Sequence, residues 1–120
     1  MEILLLNNID DEVMLAFEKL IQQLNSKTEI PSKNYLTEII KAKDSYIFLT
    51  KEKEIVSILM LILYKIPSGR KAWIEDVVVD DNRTGSGVGS FLVNYAIKFA
   101  KEKGISQFNE LQYTACPIFI

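Results

Sequence analysis

Histidine is absent from the 120-residue sequence, and cysteine occurs once, as Cys116. The first absence removes the commonest metal ligand and the commonest general base at neutral pH, so no metal site is expected. The second excludes an internal disulfide. Because Met1-Glu2-Ile3 also lacks the positive stretch that opens a secretory signal, the expected compartment is the reducing cytoplasm. Cys116 reads as an inert thiol, since an acyl-cysteine intermediate would need a base to activate it. No apolar run approaches the roughly 20 residues of a membrane helix; Ile55 to Leu63, the most apolar, is bracketed by Lys and Glu and reads as a buried strand. Neither sign of charge dominates. The 14 Lys and Arg residues stand against 16 Asp and Glu, for a net charge of -2, and the cations are scattered without a basic stripe. Nucleic acid and membrane surfaces are therefore not expected partners, and a cationic or neutral substrate fits better.

What is present is 48% hydrophobic residues, enough for one compact core and a single domain over residues 1–120. Glu2 to Leu6 reads as a strand. Asp10 or Asp11 then caps a helix with Val13, Phe17, Leu20, Ile21 and Leu24 on one stripe. Pro31 and Ser32 open a second helix with Leu36, Ile39 and Ile40 on its inner face. The period then changes. Ser45 to Thr50, Ile55 to Ile66 and Lys71 to Asp80 read as three strands of an antiparallel meander, joined by turns at Lys51-Glu52-Lys53-Glu54 and Pro67-Ser68-Gly69. Val88, Leu92, Tyr95, Ala96 and Phe99 recur at helical spacing, and Gln107 to Tyr113 returns as a strand. The fold class is a mixed α/β sheet in the order strand, helix, helix, three strands, helix, strand. Tyr64 and Tyr95 are expected in the core, and Trp73 at the sheet edge.

The segment with the most chemistry is Asn82-Arg83-Thr84-Gly85-Ser86-Gly87-Val88-Gly89-Ser90, which joins a valine-rich strand to an amphipathic helix. Alternating glycines let a ligand approach the backbone where the first amides of a helix are unpaired, next to the positive end of its dipole. Phosphate is the expected ligand chemistry. A P-loop is excluded by the lack of a Gly-Lys-Ser/Thr ending, and the GxGxxG fingerprint would need glycine where Ser90 stands.

From Trp73-Ile74-Glu75-Asp76-Val77-Val78-Val79 through Ser90 the sequence resembles the core of the GNAT superfamily of acetyl-CoA-dependent N-acyltransferases, with its Q/R-x-x-G-x-G/A motif. The order of elements is similar too. Gly87 and Gly89 fall on the two small positions, Gly85 and Ser86 on the intervening pair, and Thr84 where the family usually has Gln or Arg. The resemblance implies that the pyrophosphate of acetyl-CoA is held by Thr84, Gly85, Ser86, Gly87, Val88, Gly89 and Ser90. Arg83 stands one position early, so either it reaches the pyrophosphate or backbone amides and the Thr84 hydroxyl suffice. The resemblance also implies that the pantetheine arm pairs with backbone groups of Val77, Val78 and Val79, where the fourth strand splays from the fifth. An amine would attack the thioester directly, with Glu75 as its base. Strand alternation puts Glu75 and Asp76 on opposite faces, so only one of them is expected to line the cleft.

The family domain continues into a further helix, which often carries a tyrosine acid, and two more strands, whereas this sequence stops at Ile120. The expected consequence is an exposed sheet edge, with a homodimer forming there or through Ile118-Phe119-Ile120. The main reading is an N-acetyltransferase acting on a small-molecule or protein amine of unspecified identity. The alternative is a truncated, non-catalytic module that binds CoA or a protein.

Overall fold

A computed structural model describes residues 1–83, 85–105 and the backbone of 111–113. The elements run β1 (Glu2–Leu5), α1 (Asp11–Leu24), α2 (Lys33–Lys41), β2 (Ser45–Lys51), β3 (Ile55–Ile66), β4 (Gly69–Val79), a 3₁₀ turn (Asp81–Arg83), α3 (Val88–Glu102) and β5 (Leu111–Tyr113). The five strands form one sheet in the order β1-β2-β3-β4-β5. All neighbours are antiparallel except β4 and β5, which run parallel with Ala72 opposite Leu111. This is the mixed sheet that the change of period predicts; residues 107–110 of the expected last strand, Cys116 and the tail 118–120 lie outside the described residues.

Local chemistry sets the helix starts. The Asp10 carboxylate accepts from the Val13 N–H at 2.9 Å, and Ser32 Oγ accepts from the Tyr35 N–H at 3.1 Å, each satisfying an amide the helix cannot. The stripe Val13, Phe17, Leu20 and Ile21 then buries α1 against one face of the sheet, where Leu36 of α2, Ile47, Leu49, Ile58 and Val78 join it. On the opposite face Leu92, Val93, Ala96 and Ala100 of α3 pack on Phe48, Leu59, Leu61, Leu63 and Ile74. β3 is covered on both sides, which explains a run of apolar residues too continuous for simple alternation.

Two aromatic residues sit differently from expectation. Tyr95 is 42% exposed, lying at the border of the α3 stripe, where it meets Phe48 in a T-shaped contact with 5.5 Å between centroids. Trp73 is not at an edge, because β4 is paired on both sides there, with Ile62 and with Gln112.

Candidate functional site

The site begins with an irregularity in β4. Met60 of β3 stands opposite Glu75, but two residues along, Ile58 stands opposite Val78, so β4 carries one residue more than its partner. Asp76 is the extra residue, with φ of 51°, a left-handed conformation that aspartate tolerates better than most side chains. The bulge resets the alternation. Ile74 and Val77, three apart, both pack in the cluster under α3. Glu75 shares a face with Met60, which packs on the α1 and α2 side, and Asp76 lines a hollow on that same side. The expectation that Glu75 and Asp76 face opposite ways is thus overturned: strict alternation does not survive an inserted residue.

Glu75 is steadied by its own strand, its Oε1 accepting from the Trp73 indole N–H at 2.5 Å. Asp76 opens on a hollow of about 250 Å³ bounded by Phe17 and Ile21 of α1, Tyr35 and Leu36 of α2, and Met60 of β3. Asp76 is exposed at the rim of that hollow; partial desolvation there, reinforced by the neighbouring Glu75 charge, pushes its carboxyl above the usual aspartate range.

Beyond Ile74, β4 has no β5 partner among the described residues. The Asp80 N–H bonds to Val56 O at 2.8 Å, so alternation turns the main-chain groups of Val79 away from β3. Gln23 of α1 uses one of them: its Nε2 donates to Val79 O at 2.9 Å while its Oε1 accepts from the Asp81 N–H at 3.2 Å. Beside it, Lys19 Nζ donates to Asp80 Oδ2 at 2.7 Å, and Asp80 Oδ1 accepts from the Asn82 N–H at 3.0 Å. Burial opposes the Asp80 charge, but the Lys19 and Asn82 bonds outweigh it and hold the carboxyl below its ordinary range. These contacts fasten α1 to the point where β4 becomes a loop.

The loop closes on itself before the helix. Ser86 donates to Arg83 O through its N–H at 3.2 Å and through its Oγ at 2.5 Å. Gly85 and Gly87 have φ of 80° and 86°, and a β-carbon on either would meet nothing within 4 Å. Glycine is required there by conformation, not by crowding. Gly87 is the N-cap of α3 with no side-chain cap bond, and the first helical donor is Phe91, bonded to Gly87 O at 3.0 Å. The amides of Val88, Gly89 and Ser90 therefore head the helix without an intrahelical acceptor, a ready arrangement for an anion.

Of the other residues singled out in the sequence, Val77 packs under α3, Val78 on the α1 side, and Val79 with Val56 and Val88. Gly89 is buried and Ser90 exposed. Arg83 Nη2 lies 2.5 Å from Glu52 Oε1 in the β2–β3 turn. Thr84 lies outside the described residues. Gln23, Lys19 and Asp80 escape a sequence reading because their partners are distant in the chain, and the direction of Asp76 escapes it because nothing local announces the bulge. Among the described residues no cluster of acidic, cysteine or histidine side chains is placed to hold a metal ion, and no helix is long and apolar enough to cross a membrane.

Solved structures with the same fold include an aminoglycoside acetyltransferase from an uncultured soil metagenomic sample, in complex with sisomicin. It is 23% identical, with a TM-score of 0.79 over 98% of this chain and 78% of that one. A glucosamine-6-phosphate N-acetyltransferase from Arabidopsis thaliana is 19% identical, with a TM-score of 0.76 over 98% of this chain and 84% of that one. A predicted acetyltransferase from Clostridium acetobutylicum, solved with acetyl-CoA, is 15% identical, with a TM-score of 0.73 over 97% and 81%. No curated protein matches the sequence. At these identities the likeness is one of fold, whereas the sequence itself matches the Acetyltransferase (GNAT) family over residues 8–116. The chain belongs to the GNAT acetyltransferase family.

Proposed function

We propose that this chain transfers the acetyl group of acetyl-CoA to a primary amine. The observation that carries the reading is the start of α3, where the Val88, Gly89 and Ser90 amides lack intrahelical acceptors, packed beside the end of β4, where the main-chain groups of Val79 face away from β3. Acetyl-CoA is the co-substrate used across the family. Its pyrophosphate would lie on the amides of Val88, Gly89 and Ser90, in the loop of Thr84, Gly85, Ser86 and Gly87. Its pantetheine arm would run along Val77, Val78 and Val79. Since Gln23 occupies the Val79 carbonyl, the arm's hydrogen bonds fall to the other outward-facing groups of that segment.

Glu75 is the base in this reading. An ammonium gives one proton to the Glu75 carboxylate, directly or through water, and the freed amine attacks the thioester carbonyl. The new C–N bond forms as the C–S bond breaks, and the second amine proton leaves with the CoA thiolate as a thiol. A thiolate, with a pKa of about 8.5 for an ordinary thiol, departs without obligatory help from an acid. The reading also includes a cytoplasmic protein and a homodimer through the sheet edge that further strands would cover or through residues 118–120; at the opposite edge, exposed Leu4 and Leu5 of β1 offer a second surface for pairing.

The test is thiol release from acetyl-CoA in the presence of a panel of primary amines. Release that depends on amine, and that falls by about 10²- to 10⁴-fold in Glu75→Gln, is the expected result. Acetyl-CoA binding without thiol release from any amine would favour a non-catalytic CoA-binding module.

A further inference from the structure

We propose that the hollow between α1, α2 and the sheet is an acceptor pocket, selective for a primary amine carried on an apolar group of about phenylethyl size, with Asp76 holding its ammonium. The inference rests on the acetyltransferase reading for what happens to that amine, but the pocket itself rests on geometry.

Apart from the Tyr35 hydroxyl, Asp76 offers the one polar side chain among the described residues that line the hollow; the rest, including Phe17, Ile21, Leu36 and Met60, are apolar. An apolar cavity of about 150 Å³ takes a benzene ring. The hollow, at about 250 Å³, has room for a ring and a short arm. An amino sugar would instead set its hydroxyls against isoleucine and leucine, where they lose the hydrogen bonds they make to water. The lining thus selects for apolar bulk, and the carboxylate selects for a cation.

The position of that carboxylate fits the chemistry. Asp76 precedes Val77 directly, at the bulge two residues beyond Ile74, which pairs with Tyr113 of β5. An ammonium on Asp76 is therefore held beside both Glu75, the proposed base, and the segment proposed to carry the thioester. Among the described residues no cation pairs with Asp76, whereas Asp80 and Glu52 each have one. Asp76, at the rim of the hollow, has the Glu75 carboxylate next to it in the chain; partial desolvation and then that neighbouring charge raise its carboxyl, and a bound ammonium would offset both.

Calorimetric titration of phenethylamine and of ethanolamine into the purified chain, alone and saturated with CoA, tests this. Phenethylamine should bind at least tenfold more tightly than ethanolamine. Asp76→Asn should weaken it at least tenfold; asparagine accepts a left-handed backbone as readily as aspartate, so the bulge is kept. Ile39→Phe, which fills the hollow from α2, should weaken phenethylamine while leaving acetyl-CoA binding unchanged. Equal binding of the two amines, an unchanged affinity in Asp76→Asn, or no phenethylamine binding with or without CoA would overturn the pocket. The two readings fail separately. Phenethylamine binding in a chain that never binds acetyl-CoA would keep the pocket and remove the acetyltransferase. Acetyl transfer to ethanolamine with no preference for phenethylamine would do the reverse.

Discussion

Asp76 and Asp80 stand four residues apart on one strand end, yet their surroundings drive their carboxyls in opposite directions. Asp76 is pushed up by partial desolvation and by Glu75, so the native state holds its proton more tightly than the unfolded chain does. Stability from this group falls as pH rises from the ordinary aspartate value of about 4 to the raised folded value, and is level above it. Asp80 is held down by its bonds to Lys19 and the Asn82 amide, against the cost of burial. Its contribution is present above the ordinary value and is lost as pH falls through the folded one. Thermal melting against pH should show both signs. At neutral pH Asp76→Asn should melt higher than the natural chain, with the difference gone in acid. Asp80→Asn should melt lower at neutral pH, having lost only about 1 kcal/mol of stability, since the partner Lys19 is half-exposed and solvent screens the pair. That difference too should vanish in acid.

At the scale of elements, the turn from β4 into α3 is where conformation and binding meet. Gly87→Ala places a β-carbon on a residue with φ of 86°, which costs about 1–2 kcal/mol, although nothing lies near enough to clash. Because the same residue sets the aim of the first helix amides, the substitution should also weaken acetyl-CoA at least tenfold, read by titration at a temperature where the variant is folded. An unchanged affinity would remove the helix start from the binding site. Much of this was legible in the sequence, since alternating glycines between a valine run and an apolar stripe leave few other structures to form. The order of strands and helices was legible for the same reason, through changes of period. The β4 bulge was not. Glu75-Asp76-Val77-Val78-Val79 reads as uninterrupted strand, and only the register against β3 shows the inserted residue. Nor were the α1 contacts, because Lys19 and Gln23 meet residues 61 and 56 positions away through the packing of a helix on a sheet.

At the scale of the whole molecule, α1 and α2 cover one face of the sheet and α3 the other, so the two proposed substrates approach a single strand from different sides of its end. The proposed amine pocket belongs to the α1 and α2 layer, the proposed cofactor loop to the start of α3, and β4 joins them at Asp76 and Val77. The sheet also ends in β1, where Leu4 and Leu5 are 37% and 46% exposed. Light scattering should accordingly report a dimer, and Leu5→Lys should shift it toward monomer; a monomer at all concentrations would contradict that part of the reading. Calorimetric titration of the purified chain with acetyl-CoA, with dephospho-CoA as a control for phosphate contacts, tests whether the end of β4 and the start of α3 hold the cofactor. Micromolar binding of acetyl-CoA is the predicted result, whereas no binding at millimolar acetyl-CoA would contradict the assignment of β4 and the α3 start as its site.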